Sequence, residues 1–248
     1  KGPMTLFAGL GATSAVLMLV FKDTILGLAA GVRLTSNDML HKGDWITVKS
    51  VDANGIVEDM SLTTVKVRNF DNTIVTISPA TLVNGSFQNW IGMQKSGGRR
   101  AKRIVYFDFR SIRLVDETLK QTLLAKHFAT EDSFKLKESL QKAIEKDIQE
   151  GKDIEDLKNP AALAPTNLQL YRRFMEKYLR QRPEVNTELT LMVRHMEATQ
   201  CGLPIEFYFF IKDKVWVNYE HILADIMEHA YALANEFGLK IYEQYPEQ

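Results

Sequence analysis

The feature that most constrains the fold of this chain is an apolar segment near its start. No charged residue occurs between Gly2 and Phe21, and apart from Lys22 and Asp23 the apolar character continues to Val32. About 20 consecutive apolar residues span a bilayer as a helix. A signal peptide would have a basic start and a cleavage site, and a helix buried in a soluble domain would have a polar face. The segment therefore predicts a transmembrane helix that leaves the hydrocarbon or bends at Lys22-Asp23.

Small residues recur on one face of this predicted helix at spacings of three and four. They are Ala8, Gly11, Ala12 and Ala15, and Leu19 and Lys22 continue the same line. Small side chains let helix backbones approach closely in lipid. A single anchoring helix does not need such a face, so the pattern predicts that the helix packs against copies of itself.

Charge on the C-terminal side of the helix indicates its orientation. Thr24 to Leu34, which includes Arg33, resumes as an amphipathic helix suited to the membrane surface, and Lys42 follows it. A basic cluster comes later, at Lys95, Arg99, Arg100, Lys102, Arg103, Arg110 and Arg113. The positive-inside rule places the chain after about residue 33 in the cytoplasm. The cluster is interpreted as a solvated linker near anionic lipid headgroups, with a positive wall along an ion pathway as the alternative.

Composition and motifs exclude several classes of function. The 248 residues carry no net charge at pH 7, so nucleic acid is not expected as a partner, because binding phosphates needs a basic surplus. The one cysteine, Cys201, forms no internal disulfide and is expected to be buried and inert. The five histidines show no metal-ligand spacing, and neither a nucleophile elbow nor a phosphate-binding loop occurs. We therefore expect no enzyme, no catalytic residue, no metal site and no cofactor.

Residues 41–91 have the pattern of a small all-β domain. Short alternating strands run from Trp45 to Ile77, and Pro79 follows the last of them. The sequence DANG at 52–55 predicts a hairpin turn between the first two strands. This spacing of strands and turns indicates a small barrel or sandwich.

The sequence GMQKSGG at residues 92–98 is interpreted as a linker. Residues 99–248 follow it and have a mixed pattern of strands and helices. The predicted helix N-caps are Asp116, Ser133, Asn167 and Asn218. The helix after Ser133 carries Leu136, Leu140, Ile144 and Ile148, and a short last strand is predicted at Leu239–Tyr242. The pattern indicates an α+β domain whose apolar stripes form its core.

The order of these elements and several short motifs carry a resemblance to a known family. The motif residues lie between about residues 8 and 90: Leu28–Val32, Lys42–Ile46, Gly55–Val57, Thr64–Arg68, Asp71, Ile74–Ile77, Pro79 and Asn89. In this order they resemble the small-conductance mechanosensitive channel family. The chain looks most like the larger, miniature-conductance bacterial branch. The C-terminal part agrees with the family in architecture more than in motif.

The resemblance implies a fold, an assembly and an activity. It implies a membrane protein in which residues 1–40 form the pore-lining helix with a kinked cytoplasmic extension, followed by a Sm-like β domain and a ferredoxin-like α+β vestibule domain. Further transmembrane helices are expected before Lys1. The implied protein is a homoheptamer in the bacterial inner membrane, with lipids and permeating ions and small solutes as its other partners. It would open under membrane tension and release solutes on hypoosmotic shock.

The resemblance also assigns roles within the pore helix. The six residues of the small-residue line, from Ala8 to Lys22, would sit along the pore and packing faces, and Leu19 would close the pore by dewetting. Two positions depart from the family: Ala15 replaces a constricting leucine, and Asp23 replaces the kink glycine. The gate is therefore placed at Leu19 or, alternatively, at Phe21 or Leu17. Asp23 and Gly31 are the candidate hinges.

Two other functions fit parts of the sequence. A membrane-anchored cytoplasmic scaffold with little conductance is suggested by Ala15, by Asp23 and by a helical insertion at residues 117–182 that is longer than in the smallest family members. An RNA-binding module is suggested by the likeness of the β domain to Sm-like barrels. The zero net charge and the apolar start count against RNA binding.

Overall fold

A computed structural model of the chain describes residues 2–135 and 164–243, together with positions 142, 144–146, 149 and 150. The chain forms two compact units, Lys1–Lys95 and Ser96–Gln248. The predicted helix after Ser133 falls mostly outside the described residues, as does the middle of the expected insertion at 117–182. Ser133 itself lies in a 3-10 helix, Glu131–Phe134, that is capped by Thr130.

The first element, α1, is one uninterrupted helix from Pro3 to Ser36. Its 34 residues give a length of about 51 Å at 1.5 Å per residue. Lys22 and Asp23, where the helix is predicted to leave the hydrocarbon or bend, lie inside this helix, and no proline interrupts the hydrogen bonding there. The helix ends where Asp38 takes a left-handed conformation (φ 57°).

Five antiparallel strands form the sheet of the first unit. They are β1 Trp45–Val48, β2 Ala53–Met60, β3 Val65–Asn69, β4 Ile74–Ile77 and β5 Gln88–Asn89, in the order β4-β3-β2-β1-β5. Alternate side chains of these strands point into one core, which includes Ile46, Val48, Val57, Val65, Val67 and, from the end of α1, Leu34. The predicted alternation thus corresponds to one buried face of the sheet.

The first hairpin turns earlier than predicted. Ile46 pairs with Gly55, so the Asn-Gly pair lies inside β2, and the turn is made by a 3-10 helix, Lys49–Val51, with left-handed Asp52 (φ 52°). Glycine is required at position 55 because a Cβ there would overlap the carbonyl oxygen of Arg68 on β3. The DANG motif was therefore interpreted wrongly: its glycine serves a close strand approach and not a turn.

Two short helices in the first unit were not predicted. Helix α2, Pro79–Asn84, begins at the proline that was expected only to end a strand, and the Ser78 hydroxyl accepts a hydrogen bond from the Thr81 N–H (3.2 Å). Helix α3, Ile91–Lys95, occupies most of the stretch interpreted as a linker. Proline is tolerated at a first helical position because that N–H has no partner within the helix.

The second unit is a three-stranded antiparallel sheet with helices on one face. Its strands are β6 Arg99–Phe107, β7 Met192–His195 and β8 Leu203–Ile211, in the order β6-β8-β7. Its helices are α4 Glu117–Ala125, α5 Asn167–Gln181 and α6 Trp216–Glu236. Buried residues of all three helices pack with the sheet residues Val105, Phe107, Val193, Ile205, Phe207 and Phe209 in one core.

The helix starts of the second unit confirm one predicted N-cap and correct two. Asp116 caps α4, accepting a hydrogen bond from the Leu119 N–H (2.8 Å). Thr166, and not Asn167, caps α5. Asn167 is instead buried, and its amide donates to the carbonyl oxygens of Ser111 (2.9 Å) and Phe237 (3.1 Å). An amide that can bond distant carbonyls stabilises the unit more broadly than a local cap.

Three other details of the second unit differ from the sequence predictions. Helix α6 begins at Trp216, so Asn218 does not cap it; its amide donates to Asp213 (2.9 Å). The last strand is reduced to a bridge between Ile241 and Phe107. Cys201 is exposed and not buried, because it lies in a tight turn between β7 and β8.

Candidate pore helix

Helix α1 is the predicted site, and most of its surface is open in the single chain. Within the described residues, it is the one helix long and apolar enough to cross a membrane, over Phe7–Ser36. Leu19 is 74% exposed, and Phe21 and Leu17 are 53% and 52% exposed. An apolar surface of this extent requires lipid or other helices around it.

The helical geometry separates the candidate gate residues. Ala8, Gly11, Ala12, Ala15, Leu19 and Lys22 fall within roughly 100° of the circumference, because each residue advances the helix by about 100°. Phe21 and Leu17 each lie about 160° from Leu19 around the helix. The structure therefore brings Leu19 and Lys22 onto the small-residue face, leaves Phe21 and Leu17 on the opposite face, and places Asp23 beside the edge of the first.

The glycines of α1 fall into two environments. A Cβ added at Gly9, Gly11 or Gly27 would meet nothing within 4 Å, so no contact with the described part of the chain requires these glycines. A Cβ at Gly31 would overlap the carbonyl oxygen of Leu62. Gly11 therefore leaves room for a second helix, whereas Gly31 already contacts the turn between β2 and β3.

The C-terminal end of α1 is anchored in the core of the first unit. Leu34 is fully buried, and Ala30 is nearly so. The Met39 N–H donates to the carbonyl oxygen of Leu34 (3.0 Å), which closes the helix end. Gly31 was predicted as a hinge; the helix is continuous through it and packs against Leu62. Its role as a hinge, like that of Asp23, stays a prediction.

A polar network ties the segment after α1 to the sheet. The buried Asp44 carboxylate accepts hydrogen bonds from the Asn89 amide (2.8 Å) and the His41 backbone N–H (3.0 Å). The Asn89 amide also donates to the Met39 carbonyl oxygen (3.3 Å), and His41 Nε2 lies 3.0 Å from Asp38 Oδ1. The network fixes the position at which the chain passes from the helix into β1.

Sequence reasoning did not find this anchoring role. Asp44 and Asn89 are both motif residues, but they lie 45 positions apart, and no residue pattern around either one indicates that they form a hydrogen bond. A single sequence signal pointed this way: Asp44 stands between a turn glycine, Gly43, and the apolar start of a strand at Trp45.

The chemistry available at α1 is limited to helix packing and three charged side chains, Lys22, Asp23 and Arg33. Lys22 and Asp23 are exposed, and no ion pair within 4.0 Å joins Lys22 to a carboxylate of the described residues. In the part of the chain that the structure describes, no group of three or more His, Cys, Asp or Glu side chains is arranged to hold a metal. An apolar helix with Lys22 on its small-residue face suits a passage for solutes or a helix contact.

Comparison with known proteins gives a family match for part of the chain. Residues 23–92 match the profile of the mechanosensitive ion channel β-domain. Over 84 residues the chain is 34% identical to the small-conductance mechanosensitive channel MscMJ of Methanocaldococcus jannaschii, a match that covers 34% of this chain and 23% of that protein. These matches identify a mechanosensitive ion channel β-domain at residues 23–92. The matched residues include the anchored end of α1 and the Asp44–Asn89 network, whereas the small-residue face precedes them.

Solved structures share the fold over nearly the whole chain. The crystal structure of Helicobacter pylori MscS in its closed state has a TM-score of 0.60 at 12% identity, covering all of this chain and 74% of that one. Arabidopsis thaliana MSL1 has a TM-score of 0.59 at 11% identity, covering 98% of this chain and 66% of that one. The chain thus has an MscS-like fold, with one apolar helix followed by sheet-containing units, and it spans about a quarter of the length of MscMJ.

Proposed function

We propose that this chain supplies the pore helix and the cytoplasmic domains of an ion channel that opens under membrane tension and releases ions and small solutes on hypoosmotic shock. The observation that carries the proposal is the contrast along α1. Its small-residue face at Gly11 meets none of the described residues, while its C-terminal end is anchored through Gly31 and Leu34. The match of residues 23–92 to mechanosensitive channels supports the activity class.

The proposed pore is formed by copies of α1 around an axis. Gly11, Ala12 and Ala15 allow close packing of neighbouring helices, and Leu19 projects from the same face as a ring of apolar side chains. A narrow apolar ring excludes ions by dewetting, without a physical plug. Tension that separates the helices would widen and wet this ring. We assign no catalytic role, metal or cofactor to the chain.

The setting of the channel follows from the sequence and the resemblance. We place α1 in the bacterial inner membrane with residues after about 33 in the cytoplasm, where the positive-inside rule puts Arg33 and Lys42. We assign the partners as other copies of the chain, seven in all by the family resemblance, together with lipids and the permeating ions and solutes. The Sm-like and ferredoxin-like descriptions of the two cytoplasmic units belong to this proposal.

Patch-clamp recording of the full-length parent protein tests the proposal. The protein is placed in a membrane that lacks other mechanosensitive channels, and tension is raised until the patch ruptures. We expect stepwise currents before rupture. Silence from a patch in which the assembled protein is confirmed to be present would contradict channel function.

A membrane-anchored scaffold with little conductance is the second candidate. The observations that favour it are Ala15 and Asp23, which depart from the family at a constricting position and at the kink. Normal assembly with no current at lytic tension would support the scaffold, and stepwise currents would exclude it. An RNA-binding module is not proposed, since the chain has no net positive charge.

A further inference from the structure

The three-stranded sheet of the second unit has helices on one face only. On the other face, none of the described helices of that unit covers the side chains. This face, which we call the bare sheet face, consists of Arg100, Lys102, Ile104, Tyr106, Met192, Arg194, Pro204, Glu206, Tyr208 and Phe210, in register across β6, β8 and β7. Tyr106 is 36% exposed, so the face combines aromatic rings with charge.

The bare sheet face carries a net positive charge. Glu206 is fully buried beneath two cations: its Oε2 accepts a hydrogen bond from Arg194 Nε (2.7 Å), and its Oε1 lies 3.3 Å from Lys102 Nζ. Burial acts to raise the pKa of Glu206, but Arg194 and Lys102 outweigh it and hold the pKa below its usual range. Arg100 forms no ion pair with a described carboxylate and lies over the ring of Tyr208. Three cations thus face one carboxylate.

The outer face of helix α6, on the far side of the same unit, carries acidic side chains. Its inner face packs on the covered side of the sheet through Tyr219, Leu223, Ile226 and Ala230. Its outer face contains Val217, His221, Ala224, Asp225, Glu228, Ala232 and Asn235, all exposed. Asp225 and Glu228 form no side-chain ion pair with described residues. Because the side chains of Ala224 and Ala232 are small, another surface could approach the helix backbone closely at this acidic face.

We propose that the bare sheet face of one copy docks on the outer face of α6 of the next copy. Arg100 and the two cations over Glu206 would meet Asp225 and Glu228, while Tyr106 and Phe210 pack over Ala224 and Ala232. Complementary charges set the register of such contacts and exclude wrong partners. The two surfaces differ and lie on opposite sides of one unit, so the contact is heterologous and closes into a ring when the rotation per copy permits.

The inference rests on the proposed self-assembly and does not depend on conduction. It is tested by cross-linking the full-length protein in detergent or nanodiscs. Cys201 is exposed, so the background is Cys201→Ser. The double variant Arg100→Cys with Glu228→Cys is treated with a short bismaleimide, and each single-cysteine variant is the matched control. Arg100 and Glu228 lie on opposite sides of one unit, so no link forms within a chain.

We expect the double variant to give a ladder that extends beyond the dimer, and each single-cysteine variant to stay monomeric on the gel. Dimers from a single variant would indicate an isologous contact and overturn the inference. Absence of a ladder in the double variant, with the size of the assembly unchanged before denaturation, would overturn it as well.

Charge reversal gives a second, independent measurement. We expect Arg100→Glu to shift the assembly to smaller species by native mass spectrometry, and Asp225→Lys with Glu228→Lys to do the same. Combining all three substitutions should restore the original size of the assembly, because the charges of the two faces are then exchanged and remain complementary. If the reversals leave the subunit number unchanged, the two faces do not meet.

The outcomes separate this inference from the proposed function. Currents from a protein that gives no cross-linked ladder would support the channel proposal and contradict the proposed contact. A ladder from a protein that stays silent under tension would support the contact and contradict the channel proposal.

Discussion

At the scale of single residues, the pore helix is defined by which side chains share a face. Leu19 extends the line of small residues that begins at Ala8, while Phe21, two positions on, faces the opposite way. The two residues have similar apolar character and are both exposed in the single chain. A pair of matched substitutions therefore distinguishes position on the helix from hydrophobicity.

Leu19→Ser is expected to lower the tension threshold and raise the resting leak, because a polar ring wets more easily than an apolar one. Phe21→Ser is the matched control and should leave the leak near that of the parent, since its side chain lies about 160° from Leu19 around the helix. Single-channel recording under a tension ramp measures both quantities. A leak from Phe21→Ser that exceeds that from Leu19→Ser would place the gate on the other face.

Lys22 is expected to influence ion preference. It lies on the Leu19 face without a carboxylate partner among the described residues, so copies around a pore would form a cationic ring that favours anions. Lys22→Glu should shift the reversal potential in asymmetric KCl towards the cation value. Asp23→Asn is the control for a nearby charge change, and an equal shift from it would argue against a ring of Lys22 side chains.

Glu206 is expected to make the stability of the second unit depend on acid pH. Its folded-state pKa lies below the usual value, so its ion cluster contributes fully above about pH 5 and loses its contribution as the pH falls through the folded-state pKa. Glu206→Gln should lower the unfolding temperature at pH 7 and flatten its fall towards pH 4. Thermal unfolding in detergent at both pH values measures this. Parallel curves for the parent and the variant would show that the cluster does not contribute.

At the scale of elements, the junction between α1 and the sheet is the best-defined contact of the candidate site. Gly31 lets the helix backbone touch the turn that carries Leu62, and the Asp44–Asn89 bond fixes the following segment. A movement of α1 would therefore be transmitted to the sheet through packed groups. Gly27 lies on the same helix, and a Cβ added there would meet no atom of the described residues within 4 Å, which makes it a suitable comparison.

Gly31→Ala is expected to destabilise the protein by about 1–3 kcal/mol, because the added methyl group overlaps the Leu62 carbonyl and either the helix or the turn must move. Gly27→Ala should be neutral or stabilising by up to about 1 kcal/mol through helix propensity. Circular dichroism melting of the detergent-solubilised protein compares the two variants. Equal stability in both variants would mean that the helix or the turn at Leu62 can move to fit the methyl group with no loss of free energy of unfolding.

At the scale of the whole molecule, the proposed activity has a cellular consequence. Bacteria that lack their own mechanosensitive channels should survive a sudden hypoosmotic shock better when they express the full-length parent protein. The expected reason is that opened pores release solutes before the membrane ruptures. Survival counts after downshock measure the effect, and Arg100→Glu, through loss of assembly, should reduce it. Survival equal to the empty-vector control, with the protein present in the membrane, would contradict the proposal.

The elements that were predicted well are those whose pattern of polar and apolar residues is visible within one short stretch of sequence. The apolar run indicated α1, alternation placed the strands from Trp45 to Ile77, and Asp116 was correctly identified as a cap. The errors arose where a distant partner decides the outcome. Gly55 faces Arg68 across the sheet, and Asn167 bonds Ser111 and Phe237, so neither behaves as its neighbours in sequence suggest.

The sequence by itself determined that a helix apolar around its circumference begins this chain, with small residues along one line, because side-chain polarity and helical spacing are local properties. Only the tertiary structure decided that this helix is continuous through Lys22-Asp23, that Gly31 is a packing position while Gly11 is open, and that Asp44 meets Asn89. It also placed acidic and basic faces on opposite sides of the second unit. Such relations join residues far apart in the chain, and their energies exist only once the backbone has brought them together.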